Sequence, residues 1–202
     1  MEHTDNQITL RGSLQTLPNF SHENHDKKFY RFLLEVPRLS GAVDVLPVVA
    51  EDKILNELDL SGGKMLTVTG QVRSHNVREN GVRHLLIFVF AASVTAEDGD
   101  PINDVIIEGP LCKEPIFRRT PLGRSICDLM LAVPRRYGRA DYLPAIAWGQ
   151  LAVHTGDLQV GDSLTIDGRV QSRIYHKATG AGVEERVAYE VSVMHLLEDE
   201  EP

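Results

Sequence analysis

The sequence predicts an all-β protein built from two similar five-stranded barrels in tandem, each with one short helix between its third and fourth strands. Short segments alternate between apolar and polar residues, as half-buried strands do. The motif Glu-Val-Pro-Arg at 35–38 returns as Ala-Val-Pro-Arg at 132–135, an offset of 97. A period of this length is domain-sized and far longer than a solenoid repeat, so it indicates two related domains.

The first half contains five strand-like segments and one short helix. Gly12 predicts a bulge or bend in the first strand, and Pro47 predicts an edge or bulged third strand. Residues 15–28 are polar and predict a long loop, while Asn80-Gly81 is typical of a hairpin turn. The predicted elements are the strands Ile8–Leu14, Phe29–Val36, Val43–Ala50, Leu66–Val72 and His84–Val94, with a helix over Asp52–Leu60. This order is that of an OB-fold barrel.

The second half repeats this order after the linker Glu97–Pro101. The residues Lys177–Glu185, with Gly180 and Gly182, predict a loop before the last strand. The predicted strands are Val105–Leu111, Ser125–Val133, Asp141–Ala147, Leu164–Ser172 and Arg186–Leu196. The sequence thus predicts a first OB-fold repeat at residues 1–96 and a second at 103–197.

Charge is unevenly distributed along the chain. The net charge of −8 argues against a general polyanion binder, but the acidic tail at 198–201 supplies half of it. Between Arg118 and Arg139 six arginines face a single acid, Asp128. The polar start MEHTDNQ is not a signal peptide, and the longest apolar run is too short to span a membrane. With Cys112 and Cys127 taken as buried thiols, we expect a cytoplasmic protein.

Motifs for catalysis, cofactors and metals were not found in the sequence. It lacks a P-loop, a nucleophile elbow, a dinucleotide fingerprint and a metal-ligand cluster, so we expect neither an enzyme nor a cofactor. His22 and His25 are interpreted as solvated loop residues. The remaining candidates, His154, His176 and His195, are scattered and show no carboxylate partner in the sequence pattern.

The stretch Ala132–Trp148 alternates arginines with aromatic residues around Gly138 and contains the only tryptophan. Arginine neutralises phosphate and flat rings stack on unpaired bases, so this pattern favours single-stranded nucleic acid as a ligand. The alternative is a surface hairpin with solvated arginines, whose rings close a core.

The second half resembles the bacterial single-stranded-DNA-binding protein family. The resemblance is carried by AIAWGQLA at 145–152 and VGDSLTIDGRVQSRIY at 160–175. It implies base-stacking aromatics at four places, which here hold Tyr137, Tyr142, Trp148 and Tyr175. The first repeat has Ser40, Val45, Glu51 and Val77 at these places, so we expect it to serve structure or assembly.

Strand alternation adds a prediction for the fourth strand of the second repeat. Leu164, Ile166, Val170 and Ile174 should point inward, and Arg169, Gln171, Arg173 and Tyr175 outward. The predicted DNA-binding residues are the four aromatics together with Arg118, Arg119, Arg124, Arg135, Arg136, Arg139, Arg169 and Arg173.

The expected function is non-catalytic binding and protection of single-stranded DNA in replication, recombination or repair, with nucleoid association. Replication or recombination proteins are possible partners, and a homodimer would present four OB-folds, the number implied by the family's tetramers. The alternative is an OB-fold assembly protein of primosome or recombination type that acts through protein contacts. The acidic tail ends in Pro202 without the terminal Phe that the family resemblance implies for partner recruitment.

Overall fold

The computed structural model describes residues 6–79, 81–179 and 182–197. The first repeat comprises β1 (Asn6–Leu14), β2 (Asn19–Asn24), β3 (Lys27–Pro37), β4 (Val43–Glu51), α1 (Asp52–Leu55), β5 (Met65–Glu79) and β6 (Val82–Ala96). The second comprises β7 (Ile102–Pro110), β8 (Ile116–Arg119), β9 (Ser125–Arg135), β10 (Arg139–Trp148), α2 (Gln150–Gly156), β11 (Ser163–Thr179) and β12 (Gly182–Leu197). The predicted acidic tail, together with Asn80 and Gly180, lies outside the described residues.

Each repeat closes into an OB-fold barrel, which confirms the predicted fold class. In the first repeat β1 pairs with β3 and β5, β3 pairs with β4, and β5 pairs with β6. A parallel pairing of β4 with β6 closes the barrel. The second repeat repeats the pairings β7–β11, β9–β10 and β11–β12 and the parallel one between β10 and β12, while a single bridge takes the place of the β1–β3 pairing. The bridge between Leu111 and Leu131 repeats the Leu14–Leu34 pair at the offset of 97.

The barrel interiors are filled by alternate residues of the strands. In β1 the side chains of Ile8, Leu10 and Leu14 are buried, because alternate residues of a strand face the same side. At Gly12 a Cβ would collide with the carbonyl oxygen of Glu35, so only glycine allows β3 to approach there. β1 begins to pair with β3 directly after Gly12, and because its register with β5 is unbroken there, the glycine does not form a bulge.

The two barrels share one continuous twelve-stranded sheet. Its centre is the antiparallel pairing of β1 with β7, which runs from Asn6↔Ile107 to Arg11↔Ile102. Ile8 pairs with Val105, and these residues are equivalent at the offset of 97. A local two-fold axis therefore passes between the repeats. Each contact that the first repeat makes to the second can have a counterpart in which the second repeat makes the equivalent contact to the first.

Several segments differ from the sequence prediction. The loop predicted at 15–28 contains β2, and the helix predicted over Asp52–Leu60 ends at Leu55. Most of the loop predicted at Lys177–Glu185 is strand, because β11 continues to Thr179 and β12 begins at Gly182. Both faces of the described end of β12 meet water, since the consecutive residues 182–185 are all exposed, so its sequence lacks the alternation of a half-buried strand.

Two smaller predictions concern Pro47 and the cysteines. β4 pairs with β3 without a bulge, and its pairing with β6 begins only at Val48, so Pro47 lies at a locally unpaired edge. Cys127 is buried as predicted, whereas Cys112 is only half-buried, and both thiols are free. Within the described ranges, neither helix is long and apolar enough to cross a membrane.

Candidate nucleic-acid interface

The turn between β9 and β10 presents Tyr137 to solvent. Its side chain is 97% exposed, and its φ of 64° is a left-handed conformation that aromatic residues rarely adopt. Arg136 and Arg139 beside it are also exposed. The ring is exposed, strained and flanked by cations, so packing does not account for its position.

Tyr142 and Trp148 lie on the outer face of β10. The register between β9 and β10 is unbroken from Arg139↔Arg135 to Trp148↔Ile126, so Pro144 does not interrupt the alternation. The rings are 44% and 41% exposed, respectively. Neither aromatic closes a core, contrary to the surface-hairpin alternative.

Trp148 is held at the strand end by the glycine that follows it. Gly149 has φ 61° and ψ −126°, a region open in practice only to glycine. Its N–H donates to the Ser125 carbonyl oxygen at 3.0 Å, and α2 begins at the next residue. The sharp change of direction leaves the indole on the sheet surface, outside the space that α2 covers.

The pairing registers extend the Trp148 face over five strands. Ile126 of β9 lies opposite both Trp148 and Arg118 of β8. On the other side of β10, Ile146 pairs with Ser192 of β12. The residues of β12 that share the face of Ser192 pair in turn with every second residue of β11. We call this surface the outer face. It carries six of the twelve predicted residues, namely Tyr142, Trp148, Tyr175, Arg118, Arg169 and Arg173.

Adjacent arginines of β8 point to opposite sides. Arg118, on the outer face, donates to Asp128 at 2.8 and 3.2 Å, and this hydrogen bond raises the pKa of its guanidinium. Arg119 shares the opposite side with Phe117, which packs against Gly156 of α2. Arg124 lies in the β8–β9 turn and is exposed. The structure therefore does not bring Arg119 and Arg124 onto the outer face.

Arg135 is engaged by a carboxylate of its own repeat. Its Nε lies 3.4 Å from Oδ2 of Asp141, a fully buried residue. Burial lowers the pKa of Arg135, Asp141 opposes this, and the nearby cations Arg73 and Arg139 add to the lowering. Arg135 is thus a half-buried, paired cation rather than a freely solvated one.

The prediction for β11 is right for most residues and wrong for two. Leu164, Ile166 and Val170 are buried, Arg173 is exposed and Arg169 and Tyr175 are half-buried. Ile174 is 60% exposed because the strand has left the barrel to form a hairpin arm. Gln171 is only 8% exposed and donates to Glu190 at 2.8 Å, so it is not a free contact.

The first repeat holds a stacked pair of rings that the sequence pattern did not predict. The ring of His22 lies 4.8 Å from that of Phe29 at an interplanar angle of 11°, and Phe29 pairs with Glu51, the counterpart of Trp148. Lys27 and Lys53 both approach Glu51 at 3.3 Å. The exposed Phe20 near Tyr30 is an aromatic signal that was available in the sequence.

Two histidines have carboxylate neighbours that the sequence pattern did not reveal. His195 Nδ1 lies 3.0 Å from Asp167 across the β11–β12 pair, and His176 lies 3.9 Å from Glu185. The prediction that they lack such partners is wrong. In the chain as described, no group of three or more potential ligands could hold a metal ion.

Comparison with known proteins matches the second repeat to a family. The model of the single-strand binding protein family matches residues 102–197. The second repeat therefore matches the bacterial single-stranded-DNA-binding protein family, which its motifs resemble. Single-stranded DNA-binding protein 2 of Listeria innocua is 32% identical over 89 residues, which cover 41% of this chain and 56% of that protein.

A relative from Thermus aquaticus extends the likeness into the first repeat. This single-stranded DNA-binding protein is 30% identical over 142 residues, covering 60% of this chain and 54% of the relative. The share of this chain exceeds what residues 102–202 can supply. The crystal structure of the wild-type Thermus aquaticus protein aligns with this chain with a TM-score of 0.78 and 23% sequence identity. The alignment covers 98% of this chain and 94% of that one. The two chains therefore have the same fold over nearly their whole length. The chain spans about half the length of the curated relatives it matches.

Proposed function

We propose that this protein binds and protects single-stranded DNA without catalysing a reaction, in replication, recombination or repair. The observation that carries the proposal is the outer face, where Tyr142 and Trp148 are exposed on a five-stranded surface that also holds Arg118 and Arg173. Rings stack on bases and guanidinium groups neutralise phosphates, so binding has little sequence preference. The match of the second repeat to the single-strand binding protein family supports this ligand, and the comparisons do not favour the assembly-protein alternative.

The proposed site consists of the outer-face residues and the β9–β10 turn. Tyr137, Tyr142, Trp148 and Tyr175 stack on bases, and Arg118, Arg136, Arg139, Arg169 and Arg173 contact phosphates. Arg135 contributes once it is released from Asp141. Arg119 at the end of β8 and Arg124 in the β8–β9 turn contribute if the bound DNA continues beyond the outer face. No cofactor or metal is needed for this mechanism.

The test uses the single tryptophan as its probe. Titration of the full chain with oligo-dT should quench Trp148 fluorescence, whereas a duplex of equal length should not. Plotted against log[salt], log K should fall with a slope of roughly −2 to −4, because about three to five phosphate contacts each add roughly −0.7 for single strands. Equal binding of single and double strands would contradict the proposal.

We further propose that the second repeat carries most of the DNA contacts and that the chain forms a homodimer with four OB-folds. The first repeat has Glu51, a carboxylate bound by Lys27 and Lys53, where the second has Trp148, so it offers no ring for stacking at that place. Light scattering at micromolar concentration should give twice the mass of one chain, and a monomer would contradict the dimer. DNA as ligand would place the protein at the nucleoid, with replication or recombination proteins as partners.

A further inference from the structure

We infer that Arg73 and Ser74 of the first repeat are positioning residues for the nucleic-acid interface of the second repeat. Both lie on β5, which reaches β10 where that strand pairs with β9 alone. The inference rests on the proposed function. It concerns how Arg135 and Tyr142 are held before DNA binds.

Asp141 of β10 is the centre of the contact between the repeats. Arg73 donates to its Oδ2 at 2.8 Å, and the backbone N–H of Ser74 donates to its Oδ1 at 2.7 Å. The N–H of Tyr142 in turn donates to the Ser74 hydroxyl at 2.8 Å. A fully buried carboxylate is thus satisfied largely by residues of the other repeat, as a buried charge requires.

The local two-fold axis provides a natural comparison. Asp44, the counterpart of Asp141, accepts from the N–H of Ser172 at 2.7 Å, and the Val45 N–H donates to the Ser172 hydroxyl at 3.2 Å. Here, however, Gln171 stands in place of Arg73 and is bonded to Glu190. Arg38 therefore binds Asp44 with both Nε and a terminal nitrogen, with Nε at 2.7 Å.

The difference between the two centres determines which arginine is available. Asp141 has Arg73 at 2.8 Å, so Arg135 remains the more distant partner at 3.4 Å. Arg73 and Arg135 share this single carboxylate, and the charges of Arg73 and Arg139 both repel that of Arg135. Excess positive charge favours the approach of an anion, and Arg135 is the cation held least tightly. Because Arg73 binds the carboxylate of Asp141, Arg135 is held less tightly and is available to contact phosphate.

Ser74 acts on the stacking residue. At Tyr142 no strand pairs with the free edge of β10. The N–H of Tyr142 therefore donates to the Ser74 hydroxyl instead of to a neighbouring strand. Fixing the backbone fixes the direction of the side chain, so the Tyr142 ring is presented in one orientation and loses less conformational freedom on stacking. In the first repeat the same contact holds Val45, which offers no ring.

The first experiment is a double-mutant cycle in the full chain, read by the salt dependence of oligo-dT binding. Arg73→Gln reproduces the first-repeat arrangement, so Arg135 should close on Asp141 and the salt slope should become less negative by roughly 0.7. Arg73→Lys keeps the charge and should retain more of the slope. In an Arg135→Ala background, Arg73→Gln should change the slope no further.

An unchanged slope in Arg73→Gln, or the same change with and without Arg135, would overturn the inference. A merely structural role predicts weaker binding at unchanged slope, with a lower melting temperature. Failure of the wild-type chain to bind oligo-dT would overturn the proposed function as well. Wild-type binding with an unaffected variant would refute the inference alone.

The second experiment compares Ser74→Ala with Ser172→Ala, which remove equivalent hydroxyls on the two sides of the axis. Both should lower the melting temperature by similar amounts. Only Ser74→Ala should weaken oligo-dT binding, by roughly threefold to tenfold, the effect of one hydrogen bond. Equal losses of affinity would overturn the role of Ser74, and this pair remains decisive if Arg73→Gln fails to fold.

Discussion

At the scale of single residues, the two repeats differ most at one position on the outer face. Trp148 and Glu51 end equivalent strands, and each lies opposite a buried apolar side chain, Ile126 or Phe29. The carboxylate attracts Lys27 and Lys53, whereas the indole remains exposed on the strand next to β9, which holds Asp128. The same fold thus offers a ring for stacking on one side and a neutralised charge on the other.

Trp148→Ala tests whether this ring carries binding energy. We expect oligo-dT affinity to fall by ~1–3 kcal/mol, the contribution of one stacked base. The melting temperature should barely change because the ring is not part of the core. As a control, Leu143→Ala removes a fully buried side chain of the same strand and should cost ~2–5 kcal/mol of stability. Unchanged affinity in a well-folded Trp148→Ala protein would contradict stacking.

Asp128→Asn tests the charge of the outer face. The carboxylate of Asp128 binds Arg118, so removing its charge should leave Arg118 free for phosphate. We expect tighter oligo-dT binding and a salt slope more negative by roughly 0.7. Asp98→Asn changes the net charge equally in the exposed linker and should have a smaller effect. Equal effects of the two variants would show that only net charge matters.

At the scale of elements, the junction of β10 with α2 determines where the outer face ends. Gly149 turns the chain through a conformation that other residues avoid, and the N–H bond to Ser125 attaches the turn to the start of β9. Trp148 therefore remains on the surface while Ala152 and Thr155 of α2 are buried against the barrel. The position of the candidate stacking residue depends on a backbone feature rather than on packing of its ring.

Gly149→Ala should test this dependence. The added Cβ has open space around it, but the φ of 61° disfavours it, so we expect a loss of ~1–3 kcal/mol of stability. Relaxation of the turn should also alter the fluorescence spectrum of Trp148. Gly62→Ala is the control, since that glycine is exposed and has no contact within 4 Å of the added carbon. An unaltered melting curve and spectrum for Gly149→Ala would refute the argument.

At the scale of the whole molecule, the two barrels form one structural unit. They share the β1–β7 pairing, and the buried carboxylates Asp44 and Asp141 are each satisfied across the boundary by the other repeat. A separated repeat would leave its buried carboxylate short of donors, which is costly in a barrel interior. The molecule is therefore better described as two interdependent barrels than as two independent domains joined by a linker.

We expect the chain to unfold in a single cooperative transition. Calorimetry should give equal calorimetric and van't Hoff enthalpies per cooperative unit, because opening one barrel removes donors from the other. Leu39→Ala, at a fully exposed position, should leave the transition unchanged. Two resolved transitions, one for each repeat, would show that the crossing contacts do not couple the barrels.

The sequence by itself determined the repeat and the order of the five barrel strands in each half, while the four aromatic positions are what the family resemblance implies. The strand order depends on local alternation, and the turn after Trp148 on Gly149, whose conformational preference belongs to the residue itself. Hairpin arms escaped prediction because Ile174 and Val183 extend beyond the barrel, where both faces meet water and alternation is lost.

Only the tertiary structure decided how the predicted arginines are distributed. Arg118 and Arg119 are neighbours in the sequence and point to opposite sides, and Arg135 is held by a buried carboxylate. Arg73 and Ser74 contact Asp141, although they lie 68 and 67 positions before it in the sequence. Such contacts depend on the closure of both barrels and on the two-fold pairing of β1 with β7, which no local pattern in the chain encodes.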